Sequence, residues 1–328
     1  VIGQSGLTKS RPPVKIRAGN RAELAQNVSE TCVDQVMKKV WGMESPRVFD
    51  MFCGGGGSSR GALMAGATPV AALDMWELAA DTYRLNFPDA TVYRMKASSL
   101  SPHRVLEDVG GIDLLLASPE CTNHSVAKGG KPRCEKSQAT AFEVIRFAKV
   151  LRPRWIVVEN VTQMLYWGRF EEWKRKLEAV GYQTKVGILD AQYHATPQSR
   201  RRLFVVADLE REPTLPKPGK RTAKTVAGSV LGRGEPANRP WQFSPVNQPL
   251  RAEATIERAN RAIEALGRDV PFIMVYYGTD GAGGYQSLDR PLRTVTTLDR
   301  FAVVTLMSIW EYGDDGSVGE LEGFARWF

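Results

Sequence analysis

A series of short apolar runs constrains the fold of this chain more than any other feature. The runs are RVFDMF at 47–52, TPVAALD at 68–74, IDLLLA at 112–117, WIVVE at 155–159, TKVGILD at 184–190 and RLFVVA at 202–207. IDLLLA and WIVVE show almost no polar alternation, so both faces of each must be covered, as for strands inside a sheet packed on two sides. Helical spacing separates several runs: Ser58–Ala65, Glu77–Leu85, Lys136–Leu151 and Phe170–Val180. Parallel strands need crossover connections, and these helices supply them. The alternation predicts an α/β fold with a mostly parallel sheet.

The texture changes after Asp208. Residues 209–250 are rich in Pro, Gly, Lys and Arg, a helix is expected over Thr255–Leu266, and PFIMVYYG, the turn DGAGG and DRPLRTVTT follow. This reads as a second, smaller, loop-rich domain. At the front, residues 1–20 are irregular and basic, and Ser29–Trp41 has helical spacing with Val33, Val36, Met37 and Val40 on one side. The expected division is a basic extension and helix over 1–45, a catalytic domain over 46–208, and a region over 209–328 that ends by returning to the catalytic domain.

Several function classes recede on composition. No apolar stretch is long enough to cross a membrane, and the amino-terminal segment lacks the apolar centre of a secretory signal. Cys32, Cys53, Cys121 and Cys134 have no paired spacing, which suggests a reducing compartment, the cytoplasm. Cys121, His124 and Cys134 are spaced too irregularly for a metal site, so none is expected. A net charge of +8, with SRRR at 199–202, KPGKR at 217–221 and RPLR at 290–293, favours a polyanionic partner. For any one cluster, a solvated face is the alternative.

The chemistry-bearing residues follow the strand ends. Cys121, in ASPECTNHS at 117–125, comes just after an apolar run and is either a packing residue or a nucleophile. In the second case a Cys–His hydrolase could draw its base from His103, His124 or His194, which position alone does not separate. DMFCGGGGSS at 50–59 places glycines between a strand and a helix, where backbone can approach a cofactor. It lacks the Gly-Lys-Ser/Thr ending of a triphosphate loop. Asp74 ends the next strand about 20 residues on, the place of a ribose ligand, with a helix N-cap as the alternative. Glu159 ends WIVVE and is a candidate for burial and a raised pKa. Gln198, Arg200 and Arg202 alternate into a strand, which turns them to one side.

Taken together, DMFCGGGG, Asp74, SPECTNHS, ENV, PQSRRR and RPLRTVTT stand in the order found in the DNA (cytosine-5) methyltransferase family, and the chain resembles that family. The resemblance spans 47–208 and, more thinly, 270–305. It implies a Rossmann-like sheet that binds S-adenosylmethionine, a smaller target-recognition domain, and double-stranded DNA as substrate in a prokaryotic or phage setting. It further implies that Cys121, Glu159, Arg200 and Arg202 are catalytic. Asp50, Phe52, Gly54, Gly56, Asp74, Met75 and Pro119 would surround the cofactor, and Ser125, Asn160, Gln198, Arg293 and Thr294 would meet the substrate. Methylation of RNA cytosine and a catalytically silent DNA-binding homologue are the alternatives.

The chain departs from the family at several places. Glu120 stands where proline usually precedes the nucleophile, and Thr122 stands where glutamine follows it. MKASSL replaces the acidic residue expected after the third strand, and the ribose ligand is Asp where Glu is common. The family's closing Gly-Asn-Ala/Ser-Val segment does not follow RPLRTVTT. Truncation with a partner subunit, an incomplete chain, or permutation of that element to QNVS at 26–29 would each account for this; the sequence favours permutation.

Overall fold

The computed structural model describes residues 45–120, 140–221, 225–230, 243–245, 252–267, 270–276, 283–295, 301–305, 309–312, 318–321 and 324–327. The helix expected over 29–41 and the QNVS segment lie outside these residues. The described residues form two compact units, one drawn from Glu30–Ser229 and Pro291–Thr294, the other from Val230–Arg290 and Val295–Phe328.

The first unit is built on strands β1 (Arg47–Met51), β2 (Thr68–Asp74), β3 (Thr91–Arg94), β4 (Leu114–Ala117), β5 (Trp155–Asn160), β6 (Gln183–Asp190) and β7 (Arg201–Asp208). They make a seven-stranded sheet in the order β3-β2-β1-β4-β5-β7-β6. Strands β1 to β5 pair in parallel, and β7 runs antiparallel to both β5 and β6. The connection 191–200 is too short for the crossover of a dozen or more residues that a parallel pair would need, so β6 and β7 form a hairpin.

Helices α1 (Gly57–Met64), α2 (Glu77–Asn86), α3 (Pro102–Val109), α4 (Thr140–Leu151) and α5 (Phe170–Glu178) cover the sheet. On α4 the buried residues Ala141, Val144, Ile145, Ala148 and Leu151 recur at helical spacing, as an amphipathic element requires. Together with Phe49, Met51, Leu115, Ile156 and Trp173 they form one core. Two elements escape the apolar pattern. β3 buries a single residue, Tyr93, and so offers no run to detect. The helix α3 is marked only by Pro102 at its start and buries Pro102 and Val105.

The order of strands creates a switch point. From β1 the chain moves outward to β2 and β3, then returns to β4 on the opposite side of β1. The carboxyl ends of β1 and β4 are therefore neighbours, with Met51 opposite Ala117. Ligands of open α/β sheets collect at such a crevice.

The second unit comprises β8 (Phe243–Pro245), α6 (Glu253–Leu266), β9 (Phe272–Val275), β10 (Tyr285–Ser287), β11 (Phe301–Thr305), β12 (Ile309–Tyr312), β13 (Val318–Leu321) and β14 (Phe324–Trp327). Five of these strands pair in the order β10-β9-β11-β14-β8, and β12 pairs with β13. Ala259, Ala262, Phe272, Met274, Ala302 and Val304 make its core. It holds more strand than its Pro- and Gly-rich sequence suggests, because three- to five-residue strands carry little periodic signal. Among the described residues no helix is long and apolar enough to cross a membrane.

Gly56 precedes α1 with φ +89°, and a Cβ built on it would stand 2.5 Å from Phe87 Cε2 and 3.1 Å from Tyr83 Cδ2. Gly56→Ala should lower unfolding stability by about 1–3 kcal/mol through backbone strain and overpacking. A urea midpoint equal to that of the unaltered protein would refute this.

Candidate active site

The turn leaving β1 carries the first group of expected residues. Phe52 and Cys53 both donate their N–H groups to the Leu73 carbonyl, at 2.7 and 3.2 Å, which bends the chain sharply over β2. Phe52 (φ +58°), Gly54 (φ +54°) and Gly56 all adopt positive φ. For Phe52 this is a strained conformation of the kind that persists where the surroundings enforce it. A Cβ on Gly54 would meet nothing within 4 Å, so the space over this part of the loop is open.

Asp50 lies beneath the loop and is completely buried. Its Oδ2 accepts the Ser59 hydroxyl at 2.7 Å, and that hydroxyl also lies 2.7 Å from the Tyr83 hydroxyl. The Ser59 backbone N–H bonds to the same carboxylate. Gly56 at the N-cap of α1 offers no side-chain cap. A carboxylate reaching from the strand thus takes an N–H in the first turn of α1 that Gly56 leaves open. Asp50 Oδ1 has no hydrogen-bond partner among the described residues. Burial outweighs the lowering effect of the Ser59 bonds and pushes the carboxyl up to about 6. The family resemblance implies Asp50 among the cofactor residues; with its side chain enclosed on Ser59, any part in binding runs through the loop it braces.

Asp74 stands at the end of β2. Its Oδ2 accepts the Gly54 N–H at 3.0 Å and its Oδ1 the Trp76 N–H at 2.9 Å. It does not cap α2, whose N-cap position is Trp76 with no side-chain cap. Each carboxylate oxygen keeps a second lone pair for a hydroxyl donor. Met75 and Trp76 stand beside it, 57% and 63% exposed, an apolar surface next to an acceptor pair. Cys53, close by, is buried, and desolvation, reinforced by the nearby Asp50 and Asp74, drives its thiol far above the ordinary range. It is therefore no nucleophile.

The carboxyl ends of β4 and β5 supply the second group. Ser118 N–H donates to the Met51 carbonyl at 3.1 Å, and Pro119 is buried. Asn160, 4% exposed, donates from Nδ2 to the Pro119 carbonyl at 3.1 Å and accepts the Val161 N–H at 2.8 Å. It locks the β4 loop onto the end of β5. Glu159 lies opposite Phe204. Arg202, two residues earlier on β7, is its diagonal neighbour on the same face. Arg202 Nε and Glu159 Oε1 are 3.0 Å apart, with side chains 20% and 25% exposed. The burial expected of Glu159 is thus partial, because its carboxylate ends at a guanidinium rather than in the core. Cys121 and Ser125 lie outside the described residues.

The third group hangs on Asp190, which sequence reasoning overlooked. Asp190 ends β6, and its Oδ1 accepts the N–H of Arg200 at 3.0 Å and of Gln192 at 3.3 Å, while Oδ2 accepts Gln192 Nε2 at 2.7 Å. These bonds shape the turn that delivers Gln198, Arg200 and Arg202. Gln198 forms a parallel bridge with Leu292, Ser199 N–H donates to the Leu292 carbonyl, and Leu292 N–H donates to the Pro197 carbonyl, both at 2.8 Å. Gln198 Nε2 reaches the Arg293 carbonyl at 3.4 Å and Thr294 Oγ1 reaches the Ser199 carbonyl at 3.2 Å. The structure thus brings Gln198, Arg293 and Thr294 together across a long stretch of sequence. Asp190 could have been found by the feature it shares with Asp74 and Glu159, a carboxylate closing an apolar strand. Ser59 and Tyr83 had no such signal.

Residues 46–244 match the family model for C-5 cytosine-specific DNA methylase. The chain belongs to that family. Among curated relatives, Type II methyltransferase M1.HphI of Haemophilus parahaemolyticus is 29% identical over 189 residues, 55% of this chain and 51% of that protein. M.DdeI of Desulfomicrobium norvegicum is 30% identical over 167 residues, 48% of this chain and 40% of that protein. This C-5 cytosine-specific DNA methylase chain therefore spans about half the length, or less, of these relatives. M.HindV of Haemophilus influenzae is 28% identical over 257 residues, 75% of this chain and 81% of that protein. A prophage-encoded protein of E. coli, whose crystal structure is described as that of a candidate DNA modification methyltransferase, shares the fold. Its TM-score is 0.50 at 19% identity over 65% of this chain and 64% of that one.

The buried carboxylate predicts a pH signature. With its folded pKa raised to about 6, Asp50 stays protonated in the native state while the unfolded chain loses that proton near the ordinary value of 3.8. Its contribution to stability therefore falls as pH rises from about 4 to 6, by about 3 kcal/mol in all. Asp50→Asn cannot ionise, so its stability relative to the unaltered protein should improve over that interval. Urea titrations of both at pH 4, 5, 6 and 7 check this; a constant difference would mean that Asp50 does not titrate there.

Proposed function

We propose that the chain is a DNA cytosine-5 methyltransferase that uses S-adenosylmethionine. The observation that carries this reading is the convergence, at the carboxyl edge of one sheet, of a glycine turn tied to Asp74 and a Glu159–Arg202 pair. The residues fit the cofactor. Asp74 offers acceptors to ribose hydroxyls, Met75 and Trp76 offer apolar surface to a base, and Gly54 leaves the loop open above. When bound, S-adenosylmethionine supplies an electrophilic methyl group. Phe52, Gly54, Gly56, Asp74, Met75 and Pro119 would hold it, with Asp50 acting through the loop.

The remaining chemistry belongs to the protein and the base. The C5 carbon of cytosine is a poor nucleophile and needs covalent activation. Cys121 as thiolate would add to C6, pushing the ring electrons toward C5. Glu159 would meet N3 through Oε2 and support its protonation, its Oε1 being held by Arg202. After transfer a base removes the C5 proton, and elimination restores the C5–C6 double bond and frees Cys121. Arg200 and Arg202 would hold the base and its phosphate. Gln198, Arg293, Thr294 and Ser125 would line the nucleotide's path, while Asn160 positions the β4 loop rather than touching substrate. The target base is unreachable within a duplex and must be flipped out. Type II relatives also make a restriction-modification setting the natural one.

A duplex containing 5-fluorocytosine blocks the final proton removal and traps the adduct. The unaltered protein with cofactor should give a denaturant-stable complex, and Cys121→Ser should give none while still binding DNA. A trapped complex with the serine variant would remove Cys121 from the mechanism. Asp74→Ala should weaken cofactor binding by about 1–3 kcal/mol, the value of charged hydrogen bonds to the ribose. Unchanged affinity by calorimetry would take Asp74 out of the site.

A further inference from the structure

The proposed chemistry leaves one basic segment unused, KPGKR at 217–221. After β7 the chain turns back and follows the outer edge of β6. Glu212 Oε1 meets Lys185 Nζ at 3.0 Å, Leu215 lies over Gly187, and Gly219 N–H donates to the Tyr193 carbonyl at 2.8 Å. Successive contacts advance from 185 and 187 on β6 to 193 just beyond it, so the returning segment runs toward the strand's carboxyl end. β6 is antiparallel to β7, and β7 to β5, so that end lies on the same edge as Glu159. Pro213, Pro216 and Pro218 restrict the backbone of this segment, lowering the entropy lost in holding it extended. A Cβ on Gly219 would stand 3.1 Å from the Tyr193 carbonyl oxygen, so the close approach favours glycine.

The route leaves Lys217, Lys220 and Arg221 exposed beside the turn that Asp190 organises. Arg201, also exposed, lies opposite Asp190 in the β6–β7 ladder. Nearby cations are paired: Lys185 with Glu212, Arg211 with Asp208, Arg202 with Glu159. The other four have no carboxylate partner among the described residues. Exposed cations gathered along one edge suit a polyanion.

We propose that Lys217, Lys220 and Arg221, with Arg201, form a rail for the sugar-phosphate backbone of the duplex beside the target cytosine. This rests on the proposed reading of the chain as a DNA methyltransferase. The rail adds affinity without reading bases, since phosphate contacts carry no sequence information directly.

The test is the salt dependence of duplex binding. For the combined variant Lys217→Gln, Lys220→Gln and Arg221→Gln, the slope of log affinity against log salt should flatten by roughly 2–3, about 0.9 per lost phosphate contact. The loss should be equal for target and non-target duplexes, and cofactor affinity should not change. Gly219→Val keeps every charge but lifts the segment off Tyr193, and it should flatten the slope as well. Lys149→Gln, an exposed cation on α4, should leave the slope as it was. If the unaltered protein binds duplex and the combined variant keeps its slope, the rail is wrong and the methyltransferase reading stands. Equal flattening by Lys149→Gln would reduce the rail to net charge and overturn it. If the unaltered protein binds no duplex, the DNA reading fails and the rail with it.

Discussion

The bond between Asp50 and Ser59 holds the first unit's most demanding turn in place. A chain leaving β1 must reverse over β2 within a few residues and start a helix at once, and glycine is the residue that allows it. Glycine at the N-cap gives α1 no cap of its own. A buried carboxylate on the strand supplies the missing acceptor, and the Tyr83 hydroxyl closes the chain of bonds toward α2. Strand, loop and both flanking helices are thereby referred to one fixed point. The arrangement costs stability, since desolvating a carboxylate favours its neutral form. Without it the start of α1 would lose its acceptor, and the loop would be held only by its bonds to the Leu73 carbonyl and to Asp74.

The same logic recurs at the other strand ends. Asp74 ties β2 to the loop, Asn160 ties β5 to the end of β4, and Asp190 ties β6 to the turn ahead of β7. In each case a short polar side chain at a strand terminus accepts from or donates to the backbone of a neighbouring loop. Such side chains have little rotamer entropy to lose, and their partners are backbone groups that folding must satisfy in any event. The carboxyl edge is therefore a surface of loops with the positional order of the sheet beneath it, as a site assembled from several segments requires.

Much of this was readable in advance, and the reasons are local. Parallel strands announce themselves because burial on both faces demands unbroken apolar runs, as in LLLA of β4. The carboxylates Asp74 and Glu159 stand out against those runs. What stayed hidden depended on partners far away in sequence. Nothing adjacent to Ser59 tells that Asp50 and Tyr83 converge on it, and Glu159 looked more enclosed than it is because Arg202 arrives from β7. β3 and the shortest strands of the second unit were missed for a different reason: β3 has a single buried position, and a strand of three to five residues has too few positions to show a period.

The bridge between Gln198 and Leu292 has a consequence for how this chain can vary. It fastens Pro291–Thr294 to the first unit, so the stretch 230–290 leaves that unit and comes back to it. Lengthening a flexible connection within such a stretch adds closure entropy that grows only with the logarithm of its length, about 0.6 kcal/mol for each doubling. Insertions and deletions between the anchors therefore cost the sheet little. The chemistry-bearing edge and the stretch 230–290 are free to change at different rates, because Pro291–Thr294 keeps its place in the first unit through a few backbone hydrogen bonds.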